Sequence, residues 1–587
     1  MTRLHSTSTF SFVSITSLGL VLNVLACDAT SSSGTPGSTA GAGPVAGGPS
    51  ASAGATGNSA GGPGSTAGSG NSTAGSTASA GAPNGAGGVL GAAGSNAGGA
   101  AGIPAAAGSG GGPVSPPLPP LVTSAPGAYW KIDSALADST AAATVTVNDA
   151  APAQKWEGFG ATFNELGWSF LSTSELQNEA LKLLFSAGDG AAFAWGRIPI
   201  GASDYGMSRY TLDDTGTDVT PDSTESNRPP VDTALAKFSL ARDGEKLIPF
   251  IKAAKTVKPD LRFWASPWTP PVWMKTGYKK NSGANKNETA KKPSYFDGGN
   301  MKSDEAILKA YAEYFKKFVQ GYKEQGINVE LVSPQNEPGY DQNYPSCLWD
   351  GATYTTFIGK HLGPAMMPLG VKVMLGTLSN AETDFNVASA ALADSTAKSF
   401  LSMIGAQWNT LDAAKLSALN STLPIWATEH KAGNYPWNPE GYPKYVEPAP
   451  NDQAYGVESW GYIRDAITKI KVTSYNAWNM VLDKGGYGID TTRSWAQDTL
   501  LMVDGGKINK TPVYYVFRHL SQYVTPGAMV VGTSGGDAVA FKNPDGSLIA
   551  VMFNSGAANA NYVVAFGAKK FQFAMPSNGW ATVKYKP

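Results

Sequence analysis

Two glutamates stand where a chain rarely spends a carboxylate. The stretch "VELVSPQNEPGY" (329–340) runs apolar and then ends in an amide, an acid and a proline, which leaves Glu337 at a strand end. "LPIWATEH" (423–430) does the same with Glu429. A carboxyl in either place serves equally well as a helix N-terminal charge or an ion-pair partner. A pair has a further use. Two carboxyls roughly 5–5.5 Å apart across a glycosidic bond hydrolyse it with retention, one as nucleophile and the other first as acid, then as base.

Tryptophans point the same way. Trp268, Trp273, Trp349, Trp437, Trp478 and Trp495 all fall at expected strand ends or in the loops after them. A pyranose offers an apolar C–H face that stacks on indole. Core packing is the competing use of each ring. Other motifs lead nowhere: "GFGATF" (158–163) lacks the third glycine of a dinucleotide fingerprint, and no phosphate loop, zinc-protease helix or exposed-serine elbow occurs. The histidines at 5, 361, 430 and 519 have no metal-ligand spacing. A net charge of −1 without a basic stripe excludes nucleic acid as the expected partner. The expected chemistry needs two carboxyls and water, with no cofactor or metal.

The elements that must position these carboxyls are eight apolar or aromatic runs: 156–163, 193–201, 261–268, 329–338, 371–379, 403–411, 423–430 and 472–482. Amphipathic stretches lie between several of them. In "SDEAILKAYAEYFKKFVQGYKEQG" (303–326), Ile307, Ala310, Tyr311, Tyr314, Phe315 and Phe318 recur at helical spacing. Eight strands alternating with helices predict an α/β fold, a (β/α)₈ TIM barrel over 156–509, with a doubly wound sheet as the alternative. Glu337 then sits on strand 4 and Glu429 on strand 7, able to face each other across the barrel mouth. From 510 to 587 the pattern turns to short alternating strands with an Asp545-Gly546 hairpin signal. That predicts a small all-β sandwich domain, joined by N-terminal strand material at 128–155.

The first part of the chain differs in kind. From Ala29 to Tyr129 there is no Lys, Arg, Asp or Glu, and Gly, Ala, Ser, Thr and Pro dominate. Residues 28–127 are therefore expected to be a disordered tether, unable to bury enough apolar surface to order itself. Before it, "FSFVSITSLGLVLNVLA" and Cys27 form an export signal (1–27). "VLAC" resembles a bacterial lipobox, which would make Cys27 the lipidated first residue of an outer-surface or periplasmic lipoprotein; a plain secretory peptide is the alternative. Membrane contact is expected only through that anchor, and the folded part is expected to be a monomer.

These residues together resemble glycoside hydrolase family 30 over most of 150–587. The resemblance is carried by "WEGFGATFNELGW", "GRIPIGASDYG", "ASPWTPPVWMKTG", "SPQNEPGY", "WATEH", "YNAWNMVLD" and "TPVYYVFRHLSQYVTPGA". It implies Glu337 as acid/base and Glu429 as nucleophile, with Asn336 on the sugar 2-hydroxyl. It also implies Asp204 and Trp268 on the outer hydroxyls of the −1 sugar, Arg197 supporting the nucleophile, and Trp478 and Trp408 lining the substrate site. An acid must keep its proton, so Glu337 is expected to have a raised pKa. Two positions depart from the family: Gln407-Trp408-Asn409 replaces a His-Trp-Tyr run at strand 6, and His430 follows the nucleophile. Asp204 in "GASDYG" suggests a glucose-type subsite, and "WAQDTLLMVD" (495–504) resembles the branch that cuts β-1,6-glucan. The expected function is thus an exported endo-β-1,6-glucanase acting on a polysaccharide. A glucosylceramidase-like enzyme acting on a glycolipid, a xylanase-type member, and a carbohydrate-binding surface protein without turnover are the alternatives.

Overall fold

The computed structural model describes residues 117–133, 136–216, 229–276, 294–434, 452–489 and 497–587. The export signal, Cys27, most of the tether, Trp437 and Trp495 lie outside the described residues.

Eight parallel strands close into a barrel: β1 (Gly158–Thr162), β2 (Trp195–Ile200), β3 (Arg262–Pro267), β4 (Val329–Val332), β5 (Lys372–Leu378), β6 (Leu401–Gln407), β7 (Ile425–His430) and β8 (Ser474–Asn479). Each expected run supplies one of them, and β8 pairs with β1 to complete the ring. Their residues are buried almost throughout, as strands covered on both faces require. The barrel floor is a plug of its own: Trp195, Trp264, Leu331, Met374, Met403 and Trp426 pack together. Trp195 and Trp426 meet edge to face at 4.8 Å. Gly160 on β1 makes room for this plug. A Cβ there would run into the Asn476 amide oxygen and come within 2.7 Å of the Trp195 Cβ.

Helices cover the barrel as the spacing predicts. Glu305–Glu324 turns Ile307, Ala310, Tyr311, Tyr314, Phe315 and Phe318 inward, and all six are buried. After β8 the chain adds a small sheet of Val481–Asp483, Leu501–Asp504 and Lys507–Lys510 beside the barrel mouth.

The β-domain is one ten-stranded sheet folded over on itself, with a core of Leu121, Val145, Val531, Leu548, Met552, Val564, Phe573 and Val583. Asp537–Lys542 and Leu548–Asn554 pair antiparallel around Gly546, whose φ of 82° is the left-handed conformation that the hairpin needs. Three features differ from the sequence reading. Strand Leu121–Ala125 falls within the stretch assigned to the tether (28–127); its partners are Ala128–Asp133 and Gly579–Tyr585, so pairing partners far along the chain decide its state. Strand Lys569–Met575 has no clean alternation, since Lys569, Lys570, Phe571 and Gln572 are all half-buried in succession. Pro512–Ser521, inside the expected all-β stretch 510–587, is a helix capped by the Thr511 side chain. All ten of its residues are buried, and Val513, Val516, Phe517 and Leu520 recur along it at helical spacing.

That helix is the seam of the molecule. The His519 imidazole bonds the Thr582 hydroxyl at 2.8 Å and the Ser124 hydroxyl at 2.8 Å, joining it to two sandwich strands. Tyr515 stacks on Tyr129 at 4.7 Å, and Trp156, Phe541, Ile549 and Trp580 join the same continuous core as the barrel helices. Burial first, then the neighbouring Arg518, pushes the His519 pKa down to about 3. The folded state therefore holds His519 neutral, and the unfolded chain takes up its proton below pH about 6.5. This contribution is full above that pH and fades as pH falls toward 3. A His519→Leu variant leaves two buried hydroxyls short of a partner and should lose roughly 2–4 kcal/mol in urea titration at pH 7.5. The gap to the unmodified protein should narrow between pH 6.5 and 4.

Candidate active site

The site is built at the C-terminal mouth of the barrel, where strand ends present side chains to the top. At its base lies Arg197, on β2, with no exposed surface. A guanidinium is always charged and only donates. Its Nη1 bonds the Glu429 carboxylate, its Nη2 bonds Asn336 Oδ1 at 2.7 Å, and Nε and Nη2 bond Ser266 Oγ at 3.1 and 2.9 Å. Its guanidinium carbon lies 4.3 Å from the Trp268 ring centre, 4.9 Å from Trp264 and 5.6 Å from Trp478. Desolvated cation–π contacts of this kind contribute about 2 kcal/mol.

β4 ends at Val332, yet its neighbours continue to hold the chain beyond it. The Asn336 N–H donates to the Pro267 carbonyl at 2.8 Å, and the Glu337 N–H donates to the Thr377 carbonyl at 2.9 Å. Glu337 has φ 53°, a left-handed conformation that a side chain adopts at a cost of about 1–3 kcal/mol. Along an ordinary strand consecutive side chains point to opposite faces. Here the kink lets Asn336 and Glu337 reach the same group: Gln407 Nε2 lies 3.2 Å from Asn336 Oδ1 and 3.4 Å from Glu337 Oε1. With Thr377 Oγ at 2.9 Å as well, the Asn336 carbonyl takes three donors. That fixes the amide orientation and leaves its nitrogen as the end able to donate to a ligand. Gln335 braces the turn beneath by donating to the Trp268 carbonyl at 2.6 Å and accepting from the Trp349 indole at 3.3 Å.

β6 ends with the same device. Trp408 has φ 46°, and its indole N–H donates to Glu429 Oε1 at 3.0 Å while Gln407, one residue earlier, addresses Glu337. One strand end thus touches both carboxyls.

The two carboxyls are held in different states. Among the described residues no cation is in direct contact with Glu337; its hydrogen-bond partners are the Tyr344 hydroxyl at 3.0 Å and the Gln407 amide. Burial, and after it the charges of Glu429 and Asp384, push its pKa up to about 8, while the Tyr344 bond pulls it down. Burial leaves Glu429 raised on balance too, although Arg197 and the Trp408 N–H pull it back. A guanidinium in direct contact keeps Glu429 ionised, so near neutral pH the pair carries one proton, on Glu337.

Asp204 is buried after β2 and close enough to Glu429 to raise its pKa, and its carbonyl accepts from the Ile489 N–H at 2.7 Å. Trp268 and Trp478 stack on each other at 5.5 Å with an interplanar angle of 21°, and Tyr205 meets Trp478 edge-on at 5.7 Å. Arg197, Asp204, Trp268, Asn336, Glu337, Trp408, Glu429 and Trp478 are therefore brought into one site. Trp273 and Trp349 are not part of it. Trp273 is buried with its indole on Asp213, and Trp349 packs against Tyr354 and Phe357. Tyr344 carried no signal in the sequence, since it reaches Glu337 from a loop of no regular spacing. Gln407 showed only as a departure from the family run.

Comparison with known proteins agrees with this geometry. The profile of the glycosyl hydrolase family 30 TIM-barrel domain matches residues 156–524, and that of the family's beta sandwich domain matches 527–583. The chain is 26% identical over 431 residues to the lysosomal acid glucosylceramidase of Mus musculus, covering 68% of this chain and 75% of that protein. It is 25% identical over 443 residues to the endo-1,6-beta-D-glucanase neg1 of Aspergillus fumigatus, covering 70% and 81%. The fold superposes on the solved endo-beta1,6-glucanase BT3312 with a TM-score of 0.65 at 22% identity, over 80% of this chain and 99% of that one. With a barrel, a sandwich and a buried carboxyl pair at the barrel mouth, the chain belongs to glycosyl hydrolase family 30 and is a retaining glycoside hydrolase that acts on a carbohydrate or glycolipid.

Proposed function

We propose that this enzyme is an endo-β-1,6-glucanase in which Glu429 is the nucleophile and Glu337 the acid/base. The observation that carries the roles is the asymmetry of the pair: among the described residues a guanidinium contacts Glu429 and none contacts Glu337. Glu429 attacks the anomeric carbon as the bond to the glycosidic oxygen breaks, and Glu337 gives that oxygen its proton. Glu337, now ionised, takes a proton from water, whose oxygen displaces Glu429 from the anomeric carbon. Two inversions leave the configuration retained. Asn336 donates to the 2-hydroxyl, a bond that strengthens as positive charge develops at the ring. Asp204 and Trp268 hold the outer hydroxyls, and Trp478 and Trp408 wall the glycone.

The choice of polymer rests on the resemblance around 495–504 and on relatives that carry the endo-1,6-glucanase name. The glucosylceramidase reading is second, supported by the similarity to the mouse enzyme. We also propose that the chain is exported and anchored through a lipid on Cys27; Cys27→Ala should then shift the protein from the membrane fraction to the soluble one.

Substrate is tested by product analysis of residues 117–587 on a β-1,6-glucan, a β-1,3-glucan, a glucuronoxylan and a glucosylceramide. The expected result is β-1,6-linked oligomers from the first alone. Glucose from the lipid with the polymers untouched would overturn the polymer and leave the carboxyl pair in place. Glu337→Gln should lower kcat/KM about 10²–10⁴-fold on substrates whose leaving group needs a proton, with little loss of kcat/KM on an aryl glycoside of an acidic phenol, whose kcat still falls because the second step has lost its base. The alkaline limb of kcat/KM should fall near pH 8, where Glu337 loses its proton. Tyr344→Phe removes a bond that favours the carboxylate, so this limb should move up by about one pH unit.

A further inference from the structure

The indole that bonds the nucleophile does not hold itself in place. Its backbone is left-handed, and its ring is partly exposed at the barrel mouth. What fixes it comes from the strand of Glu429 itself. The next residue, His430, meets the Trp408 ring edge-on at 5.4 Å and 79°. His430 is in turn fixed on two other sides, by a 2.8 Å bond between Nδ1 and the Tyr475 hydroxyl and by an edge-on contact with Tyr462 at 4.8 Å. Four residues beyond Glu429, Gly433 supplies the rest. A Cβ at Gly433 would come within 2.5 Å of the far end of the indole and 2.7 Å of the His430 carbonyl. Nor is that backbone able to retreat. The Gly433 N–H donates to the Tyr455 hydroxyl at 2.9 Å, and its carbonyl accepts from that hydroxyl at 3.1 Å and from the Asp498 N–H at 2.9 Å.

We propose that His430 and Gly433 are positioning residues which form a seat for Trp408, and that through this seat the nucleophile's own strand fixes the second hydrogen bond to its carboxylate. The role rests on Glu429 being the nucleophile. With Arg197 on one oxygen and the seated indole on the other, the carboxylate is left a single orientation. Preorganised donors of this kind cost nothing to align at the moment of reaction. The charged and titratable groups around the assembly are Arg197, Asp204 and Glu337 toward Glu429, and Lys431, Tyr462 and Tyr475 toward His430, with Lys431 paired to Glu458. Burial pulls the His430 pKa well below its ordinary value, so the ring wedges as a neutral group.

The test compares Trp408→Phe, Gly433→Ala, His430→Ala and His430→Phe in the folded enzyme, with Glu429→Gln alongside. Trp408→Phe keeps a ring and loses the N–H; kcat should fall about 10–100-fold with KM little changed. The acid limb of kcat/KM should move to higher pH, since the lost bond favoured the carboxylate. Gly433→Ala should reproduce both effects, and the double variant with Trp408→Phe should be no worse than Trp408→Phe alone, because both act through one indole. His430→Ala should show the same shift, and His430→Phe, which restores the wedge without the Tyr475 bond, should recover part of the loss. If Gly433→Ala and His430→Ala keep the original acid limb, the seat is overturned, whether kcat is unchanged or falls only in step with Tm. If Glu429→Gln itself keeps its turnover, the nucleophile assignment fails instead, which separates the two ideas.

Discussion

Everything at the mouth of this barrel is arranged around one guanidinium with no access to water. Arg197 does not shed its charge and has nothing but donors to offer, so each neighbour must turn an acceptor toward it or present a π face. Glu429 answers with charge, Asn336 with its amide oxygen, Ser266 with its hydroxyl, and three tryptophans with their rings. The consequences travel outward. An Asn336 oxygen facing Arg197 obliges Gln407 to present its nitrogen, and that same nitrogen reaches Glu337. The donor-only chemistry of one side chain therefore orients two amides and decides which carboxyl is ionised. Removing it would strand a buried carboxylate, a change that commonly costs about 3–5 kcal/mol.

The second device is conformational. A β-strand sends neighbouring side chains to opposite faces, yet here two consecutive residues, Asn336 and Glu337, reach the same Gln407 amide. The chain solves this twice with a non-glycine residue in the left-handed region, Glu337 after β4 and Trp408 after β6. Such residues persist only where their surroundings over-determine them. Around Glu337 that surrounding is the pair of backbone bonds to β3 and β5. The rest of the fold, from the tryptophan floor of the barrel to the His519 seam with the sandwich, keeps these strand ends in register with one another.

Much of this was legible in the sequence because barrel strands are buried on both faces and read as apolar runs, each ending at a polar group. The eight runs, the placing of Glu337 and Glu429 on strands 4 and 7, and the change to a β-domain all rest on that. What stayed hidden was hidden for physical reasons. Pro512–Ser521 carries apolar residues at helical spacing, Val513, Val516, Phe517 and Leu520, but it is short and is followed at once by strand-like runs, which mask it. Leu121–Ala125 is a strand only because Gly579–Tyr585 arrives beside it from the far end of the chain. Tryptophans at strand ends could not be sorted by type alone: Trp268 and Trp478 wall the site, while Trp273 and Trp349 are spent on packing beneath it. Gln407 looked like a loss of family character, and its place between Asn336 and Glu337 emerges only when strands 4 and 6 are seen together across the mouth.

The central claim is that Arg197 separates two buried glutamates into a charged nucleophile and a protonated acid. The most direct measurement is covalent trapping with a 2-deoxy-2-fluoro-β-glucosyl fluoride, followed by peptide mapping in a mass spectrometer. The electron-poor sugar slows both steps, and the activated leaving group lets the first outrun the second. A single sugar on Glu429 is the result this account predicts. Attachment to Glu337, or to any other carboxylate, would contradict it.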